Sequence, residues 1–204
     1  MDMEIIKIDL DNIDLNVILK AGNFIKDEKI VVFPSDTSYG IAGDTANNQV
    51  LNKIYEIKNR PADKYISYIF KDVEQIEKYA NVSSEQRDIL SKNLPRSFTI
   101  VLENRNVILP DQKTIGVRIP DYKFTKLLSS CLDIPYTSTS ANISGMPSCY
   151  KIEDFLKQIE NQTALPDLII DAGELPNNKP STVVNIVDTK NILVKRKGSA
   201  VLRV

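Results

Sequence analysis

Apolar and polar positions along this chain alternate between two spacings, which predicts strands interleaved with helices. Runs rich in Val, Ile and Tyr predict strands at residues 29–33, 65–70, 98–102, 115–119, 168–171 and 182–187. Helical spacing lies between these runs. The apolar positions that predict helix faces are Leu15, Ile18, Leu19 and Phe24/Ile25, then Val50, Leu51, Ile54 and Ile57, and then Phe124, Leu127 and Leu128.

Strands that alternate with helices indicate an α/β fold. The alternation breaks between residues 98–102 and 115–119, which are joined by a loop containing Pro and Asn and no helical pattern. We therefore expect a mixed sheet. No linker, internal repeat or change of composition marks a boundary, so we predict a single domain over residues 1–204.

The composition removes several kinds of chemistry. Histidine is absent, which excludes Ser-His-Asp and Cys-His catalysis and most metal-ligand sets. Cys131 and Cys149 form no paired pattern and are interpreted as reduced thiols of a cytoplasmic protein. The N-terminus does not resemble a secretory signal, and no apolar run reaches the ~20 residues that span a bilayer.

The charge is nearly balanced, with 26 Lys and Arg against 27 Asp and Glu. A formal net charge of −1 does not predict bulk attraction to nucleic acid, so we expect at most a weak RNA contact. The basic stretch 190–203 is typical of a solvated edge, although a local patch would have the same composition.

Polar segments follow the predicted strands and helices. Residues 34–40, Pro-Ser-Asp-Thr-Ser-Tyr-Gly, follow a buried strand, where function often collects, but a capped turn explains them equally well. Lys58 and Arg60 follow a helix, where cations often only complement the helix dipole. In an extended segment, alternate residues point the same way, so both cations could face one ligand.

Two further regions carry polar groups at ordered positions. Residues 138–142, Ser-Thr-Ser-Ala-Asn, are followed by Gly145 and Pro147 and predict a sharp turn in a hydroxyl-rich loop. Arg118 lies in a predicted strand, opposite in direction to its two apolar neighbours. If that face lines a cleft, Arg118 can hold a carboxylate through two hydrogen bonds, whereas a surface salt bridge is the simpler alternative.

Taken together with Pro-Ser-Thr-Val at 180–183, these segments resemble the motifs of the short, single-domain YrdC-type threonylcarbamoyl-AMP synthases. The resemblance implies a twisted sheet with flanking helices and a concave substrate face. It implies synthesis of L-threonylcarbamoyladenylate from L-threonine, bicarbonate and ATP, with release of diphosphate, for N6-threonylcarbamoyladenosine modification of tRNA. It also implies Mg²⁺ carried with the ATP and a downstream threonylcarbamoyl transferase complex that acts on tRNA.

The resemblance also assigns site residues by position. Lys58 and Arg60 would be catalytic and, with Lys64, would hold the ATP phosphates, where fixed cations reduce the repulsion between anions. As surface cations, Lys58 and Arg60 are expected to be replaceable by Ala without loss of the fold. No metal ligand is implied. The other ATP-binding residues would be Thr114, Ser140, Asn142, Ser148 and Arg196, and the threonine-binding residues would be Thr37, Arg118, Ser138 and Ser181.

Residues 94–99 depart from the usual motif of the family, and two alternative functions are considered for the same fold. Where the family usually has Pro-Gly-Pro-x-Thr, residues 94–99 read Leu-Pro-Arg-Ser-Phe-Thr, which changes the shape and charge of that loop. One alternative is an RNA-binding relative of the same fold that lacks synthesis, although the retained Lys58, Arg60, Ser140 and Asn142 argue against it. Another is the carbamoyl-transfer module of hydrogenase maturation, whose zinc-finger cysteines this chain lacks.

Overall fold

A mixed sheet runs through the protein, and helices pack on both of its faces. The computed structural model describes residues 3–44, 46–61, 66–105, 107 and 112–203. Its helices are α1 Leu15–Lys26, α2 Asn48–Ile57, α3 Val73–Tyr79, α4 Ser84–Asn93, α5 Lys123–Cys131 and α6 Ile152–Ile159. Its strands are β1 Glu4–Lys7, β2 Val31–Phe33, β3 Gly40–Ala42, β4 Ser67–Ile69, β5 Ala80–Asn81, β6 Phe98–Asn104, β7 Thr114–Arg118, β8 Tyr136–Ser140, β9 Leu168–Asp171, β10 Thr182–Asn185 and β11 Leu193–Arg196.

The strand order is β1-β9-β2-β3-β8-β4-β7-β6-β10-β11, with the short β5 paired to β6. The pairs β1–β9, β2–β9, β4–β7 and β6–β10 are parallel, and the other neighbours are antiparallel. Strands β6 and β7 pair antiparallel, with Ile100 opposite Val117. The predicted α/β fold with a mixed sheet is therefore confirmed.

Most helices begin where a short polar side chain can satisfy free backbone N–H groups. Asp14, Asn47 and Asp72 each accept a hydrogen bond from the first turn of α1, α2 and α3. At α4, Ser83 and Gln86 form a reciprocal capping box, in which each side chain bonds the other residue's backbone N–H. These local signals fix where the helices start along the chain.

One face of the sheet is covered along its whole length. Helices α2 and α6 pack against Val32 of β2 and Ile169 of β9. Helices α3 and α4 continue this layer over Ile100 of β6, Val117 of β7 and Val184 of β10. The apolar residues named here therefore point toward that helix layer.

The opposite face is covered over only part of its length. Helices α1 and α5 pack against Val31 and Phe33 of β2 and Leu168 of β9. The core beneath these two helices contains no described residue of β6, β7 or β10. Alternate side chains of those three strands are therefore left facing an open surface, which is the concave face that the resemblance implied.

The predicted apolar faces were correct for α2 and only partly correct for α1. Leu15 and Leu19 are exposed, whereas α1 buries Ile18, Ala21, Gly22 and Ile25. A Cβ atom added at Gly22 would lie 3.7 Å from a methyl of Leu132, the residue that follows α5. The face with small residues packs against α5 because it allows the closest approach of the two helices.

The segment expected to be a hydroxyl-rich loop forms a strand instead. Strand β8 pairs with β3 on one side and β4 on the other, and the chain turns only after Ser140. Neighbours on both sides satisfy its backbone, so this strand forms without the apolar alternation that would have predicted it. Strands β1, β3, β5 and β11 were also missed. In the part of the chain described here, no helix is long and apolar enough to cross a bilayer.

Candidate active site

The open face of the sheet forms a cavity of about 550 Å³. Thr114, Gly116 and Arg118 of β7 line it, whereas the intervening Ile115 and Val117 are buried in the core beneath α3 and α4. The predicted orientation of Arg118, opposite to its apolar neighbours, is therefore confirmed. A cavity of this size is within the range of small-molecule sites.

Arg118 is held in place by a buried acidic partner. Its Nη2 donates to Asp36 Oδ1 at 2.9 Å, and its Nη1 donates to Ser138 Oγ at 3.1 Å. Both side chains of the ion pair are less than a tenth exposed. Ser97 Oγ donates to the other carboxylate oxygen of Asp36. Ser97 belongs to the unusual loop 94–99, so that loop supports the Arg118 pair from outside the cavity.

A second arginine binds the segment that follows Pro180. Arg196 Nε donates to the Ser181 carbonyl and its Nη2 to Ser181 Oγ, both at 3.0 Å. Ser181 Oγ lies 2.8 Å from Thr99 Oγ1 of β6. Burial, and secondly the positive charge of Arg118, lower the pKa of Arg196. The guanidinium groups of Arg118 and Arg196 therefore line one cavity and are close enough for their charges to interact.

The C-terminal segment reaches this position because of a glycine. A Cβ atom at Gly198 would lie 2.0 Å from the Pro180 carbonyl oxygen and 2.6 Å from the Thr182 nitrogen. Only a residue without a side chain allows the two backbones to approach this closely. Gly198 N–H in turn donates to Thr182 Oγ1 at 3.1 Å.

The charge of the cavity wall is of one sign. Arg60, Arg118, Lys195 and Arg196 line it, and none of the described lining residues is Asp or Glu. Hydroxyl groups supply much of the remaining wall. Such a surface attracts anions and offers them many hydrogen-bond donors.

Lys58 and Arg60 occupy different environments. Lys58 is 2% exposed and does not line the cavity. Its Nζ donates to the Ser140 carbonyl, to the Asn142 carbonyl at 2.9 Å and to Asn142 Oδ1 at 3.3 Å. Arg60 lines the cavity, and its Nη1 lies 3.5 Å from Thr139 Oγ1.

The expectation of an extended segment with two parallel cations is therefore wrong. Lys58 ends α2 in helical backbone geometry, and Asn59 has a left-handed φ of 45°, so the chain turns between the two cations. The assumption that Lys58 is a surface residue is also wrong. Burial, and secondly the charge of Arg60, lower the pKa of Lys58 to about 7.

The structure brings most of the predicted residues together. Asn142 lies behind the wall, where its Nδ2 donates to the carbonyls of Ile143 and Met146. Lys64 lies outside the described residues. The roles assigned to these residues in ligand binding stay predictions. The predicted residues that line the cavity are Thr37, Arg60, Thr114, Arg118, Ser138, Ser140, Ser148, Ser181 and Arg196.

Several lining residues were not predicted. Thr99 and Val101 of β6 and Asn185 of β10 alternate with core residues, so strand periodicity could have assigned them to the open face. Ser67 had the same signal, because it lies between the core residues Ile66 and Tyr68 in the predicted strand 65–70. Lys195 had no such signal, because it stands at an irregular strand edge.

Comparison with known proteins finds a family model and relatives that match most of this chain. A model of the Sua5–YciO–YrdC proteins, described as "Telomere recombination", matches residues 23–198. A protein of Methanocaldococcus jannaschii is 37% identical over 183 residues, which cover 86% of this chain and 85% of that protein. The threonylcarbamoyl-AMP synthase of Bacillus subtilis is 28% identical over 89% of this chain, but this chain matches only 53% of its length.

Two solved structures share the fold. The Sua5 protein of P. abyssi, solved in complex with L-threonine, has a TM-score of 0.83 and 27% identity over 97% of this chain and 58% of its own. The uncharacterized E. coli protein YciO has a TM-score of 0.84 and 25% identity over 97% of this chain and 96% of its own. This chain therefore spans somewhat more than half of the longer relatives and nearly all of the shorter one.

Proposed function

Because the chain belongs to the Sua5–YciO–YrdC family, we propose that it synthesises L-threonylcarbamoyladenylate from L-threonine, bicarbonate and ATP. It would act as a nucleotidyltransferase that releases diphosphate, and its product would pass to a transferase complex acting on tRNA. One observation carries the proposal. The open face of the sheet holds four cations and many hydroxyl groups in one cavity whose described lining contains no carboxylate.

The proposed reaction brings anions together, which is why these cations matter. Bicarbonate supplies carbon dioxide and hydroxide; the threonine amine adds the carbon dioxide and loses a proton to the hydroxide, which gives a carbamate and water. A carbamate oxygen then forms a bond to the α-phosphorus, and the bond to the diphosphate oxygen breaks with its electron pair. Arg60 and Arg196 can reduce the repulsion between carbamate and triphosphate and stabilise the charge on the leaving diphosphate.

Threonine would be held on the β7 and β8 side of the cavity. Arg118 is fixed by Asp36 and Ser138, so a substrate carboxylate would meet a guanidinium group that is already oriented. Hydroxyls of Thr37, Ser138 and Ser181 line the same cavity and can bond the amine and hydroxyl of threonine. No protein nucleophile is needed, which agrees with a chain that lacks histidine.

Lys58 would act through the chain segment that it binds. Its ammonium joins the carbonyls of Ser140 and Asn142, and Ser140 lines the cavity where the nucleotide is proposed to bind. Magnesium would be held by the triphosphate and water, because the described residues include no group of three or more His, Cys, Asp or Glu suited to a metal.

Incubation with labelled L-threonine, bicarbonate and ATP tests the proposal directly. We expect AMP-linked threonine and diphosphate in wild type, loss of both in Arg118→Ala, and wild-type rates in Arg87→Ala. Arg87 is a matched control because it is an exposed arginine whose side chain pairs with Glu74 and Glu77 at the surface, away from the cavity. Tight tRNA binding without synthesis would favour the RNA-binding alternative and contradict the proposal.

A further inference from the structure

We propose that Lys195 binds the phosphate chain of the nucleotide together with Arg196, at a β-bulge that lets both residues line the cavity. This inference rests on the proposed function and adds a residue that the sequence motifs do not assign. Lys195 and its neighbour Arg196 both line the cavity, although consecutive residues of a regular strand point to opposite faces.

The pairing of β10 with β11 explains this arrangement. Val184 pairs with Val194, but the next residue back, Val183, pairs with Arg196, so Lys195 is an extra residue in β11. An extra residue on one strand bends it locally and redirects its side chains. In a regular continuation of the Val184–Val194 pairing, Lys195 would lie opposite Val183, which lines the cavity, and Arg196 would point away; the bulge lets both cations line the cavity.

The surroundings of Lys195 favour an anionic ligand. Arg118 and Arg196 line the same wall, and the described lining residues include no acid that could neutralise Lys195. Lys195 has no hydrogen-bond or ion-pair partner among the described residues, and it is exposed at the edge strand. The Lys ammonium is a compact charge on a flexible stem, which suits a phosphate group.

Lys197 provides a matched control two residues further along. It carries the same charge on the same edge of the protein and is exposed, but it does not line the cavity. If an anion is attracted only by the basic charge of this surface, replacing either lysine should weaken its binding equally. If the anion binds in the cavity, only the replacement of Lys195 should weaken it.

Calorimetric titration with inorganic diphosphate is the test, applied to wild type, Lys195→Ala, Lys195→Arg and Lys197→Ala. We expect Lys195→Ala to weaken diphosphate binding about fivefold, as for one partly exposed charge pair, with Lys195→Arg close to wild type and Lys197→Ala unchanged. In the synthesis assay, Lys195→Ala should raise KM for ATP and leave KM for threonine unchanged.

Equal weakening by Lys195→Ala and Lys197→Ala would overturn the inference, as would unchanged binding in Lys195→Ala or no diphosphate binding in wild type. The result also separates this inference from the proposed function. If wild type makes no threonylcarbamoyladenylate but Lys195→Ala still loses diphosphate affinity selectively, the anion site stands and the proposed reaction does not.

Discussion

The two halves of the sheet differ in how many of their faces are covered. Around β2 and β9, helices pack on both faces, and consecutive strand residues such as Val31 and Val32 enter different apolar cores. Around β6, β7 and β10, helices pack on one face only, and alternate residues such as Thr99, Gly116 and Asn185 face the cavity. The same strand geometry therefore builds a core in one half and a ligand site in the other.

This difference explains where cations can be placed. In the half with two covered faces, an unpaired charged side chain would be expensive to bury. In the open half, Arg118 can lie on a strand because Asp36 and Ser138 accept hydrogen bonds from its two terminal nitrogens and its side chain faces the cavity. The polar residues at the alternate strand positions that face the cavity therefore determine which ligands this half can bind.

The largest expected effect concerns what the open half recognises. If Thr37, Ser138 and Ser181 bond the polar groups of threonine, valine should be rejected by ~10⁴-fold or more, because it leaves buried polar groups unpaired. Serine lacks only a methyl group and should lose ~10–200-fold. Initial diphosphate release with the three amino acids measures this. Equal turnover of valine and serine would show that the cavity selects by shape alone.

The next largest effect is a difference in stability between variants at two neighbouring residues of β6. Ile100 is fully buried beneath α3 and α4, so Ile100→Ala should lower the free energy of unfolding by about 2–5 kcal/mol. Val101 faces the cavity, so Val101→Ala should cost much less. Thermal unfolding should separate them, since ~1 kcal/mol corresponds to ~2–4 °C at this chain length. Similar losses in both variants would contradict the open face.

Lys58 and Arg60 allow a buried cation and a cavity-lining cation to be compared within one short segment. Lys58→Ala should destabilise the fold by about 2–4 kcal/mol, because it leaves buried carbonyls of Ser140 and Asn142 without a donor. Arg60→Ala should melt close to wild type. We expect synthesis to be lost in both. Equal stability of the two variants would contradict the buried position of Lys58.

A smaller effect should appear with pH. The pKa of Lys58 is lowered from 10.5 to about 7, so above pH 7 the unfolded chain binds a proton that the folded protein does not. Stability should therefore rise with pH, by at most about 1.4 kcal/mol per unit. Cys149, whose pKa is raised from 9.0 to about 11, acts in the opposite direction above pH 9.

Chemical unfolding between pH 7 and 8.5 isolates the lysine. The free energy of unfolding should rise across this interval in wild type and stay flat in Lys58→Met. A slope that persists in Lys58→Met would assign the effect to another group.

The sequence was informative where strands are apolar on one side and less so where they are polar. The strands at 98–102 and 115–119 were predicted because Ile100, Leu102 and Val117 must be buried. Strand β8 was missed because its Ser and Thr residues are stabilised by two neighbouring strands, which only the tertiary fold supplies. The orientation of Arg118 followed from strand alternation.

Two features of the site could not have been predicted by local rules. The left-handed turn at Asn59 separates Lys58 from Arg60, and the Lys58 side chain bonds carbonyls that are 82 and 84 residues away in the chain. The bulge at Lys195 depends on how β11 pairs with β10. In both places the directions of the side chains are set by contacts between distant segments.

A crystal structure with L-threonine and a non-hydrolysable ATP analogue tests the central claim most directly, because it locates both ligands on the sheet. Our account predicts both ligands on the open face of β7, β6 and β10, with the threonine carboxylate at Arg118 and the phosphates near Arg60 and Arg196. Threonine or nucleotide bound elsewhere on the protein, with this cavity filled only by solvent, would contradict it.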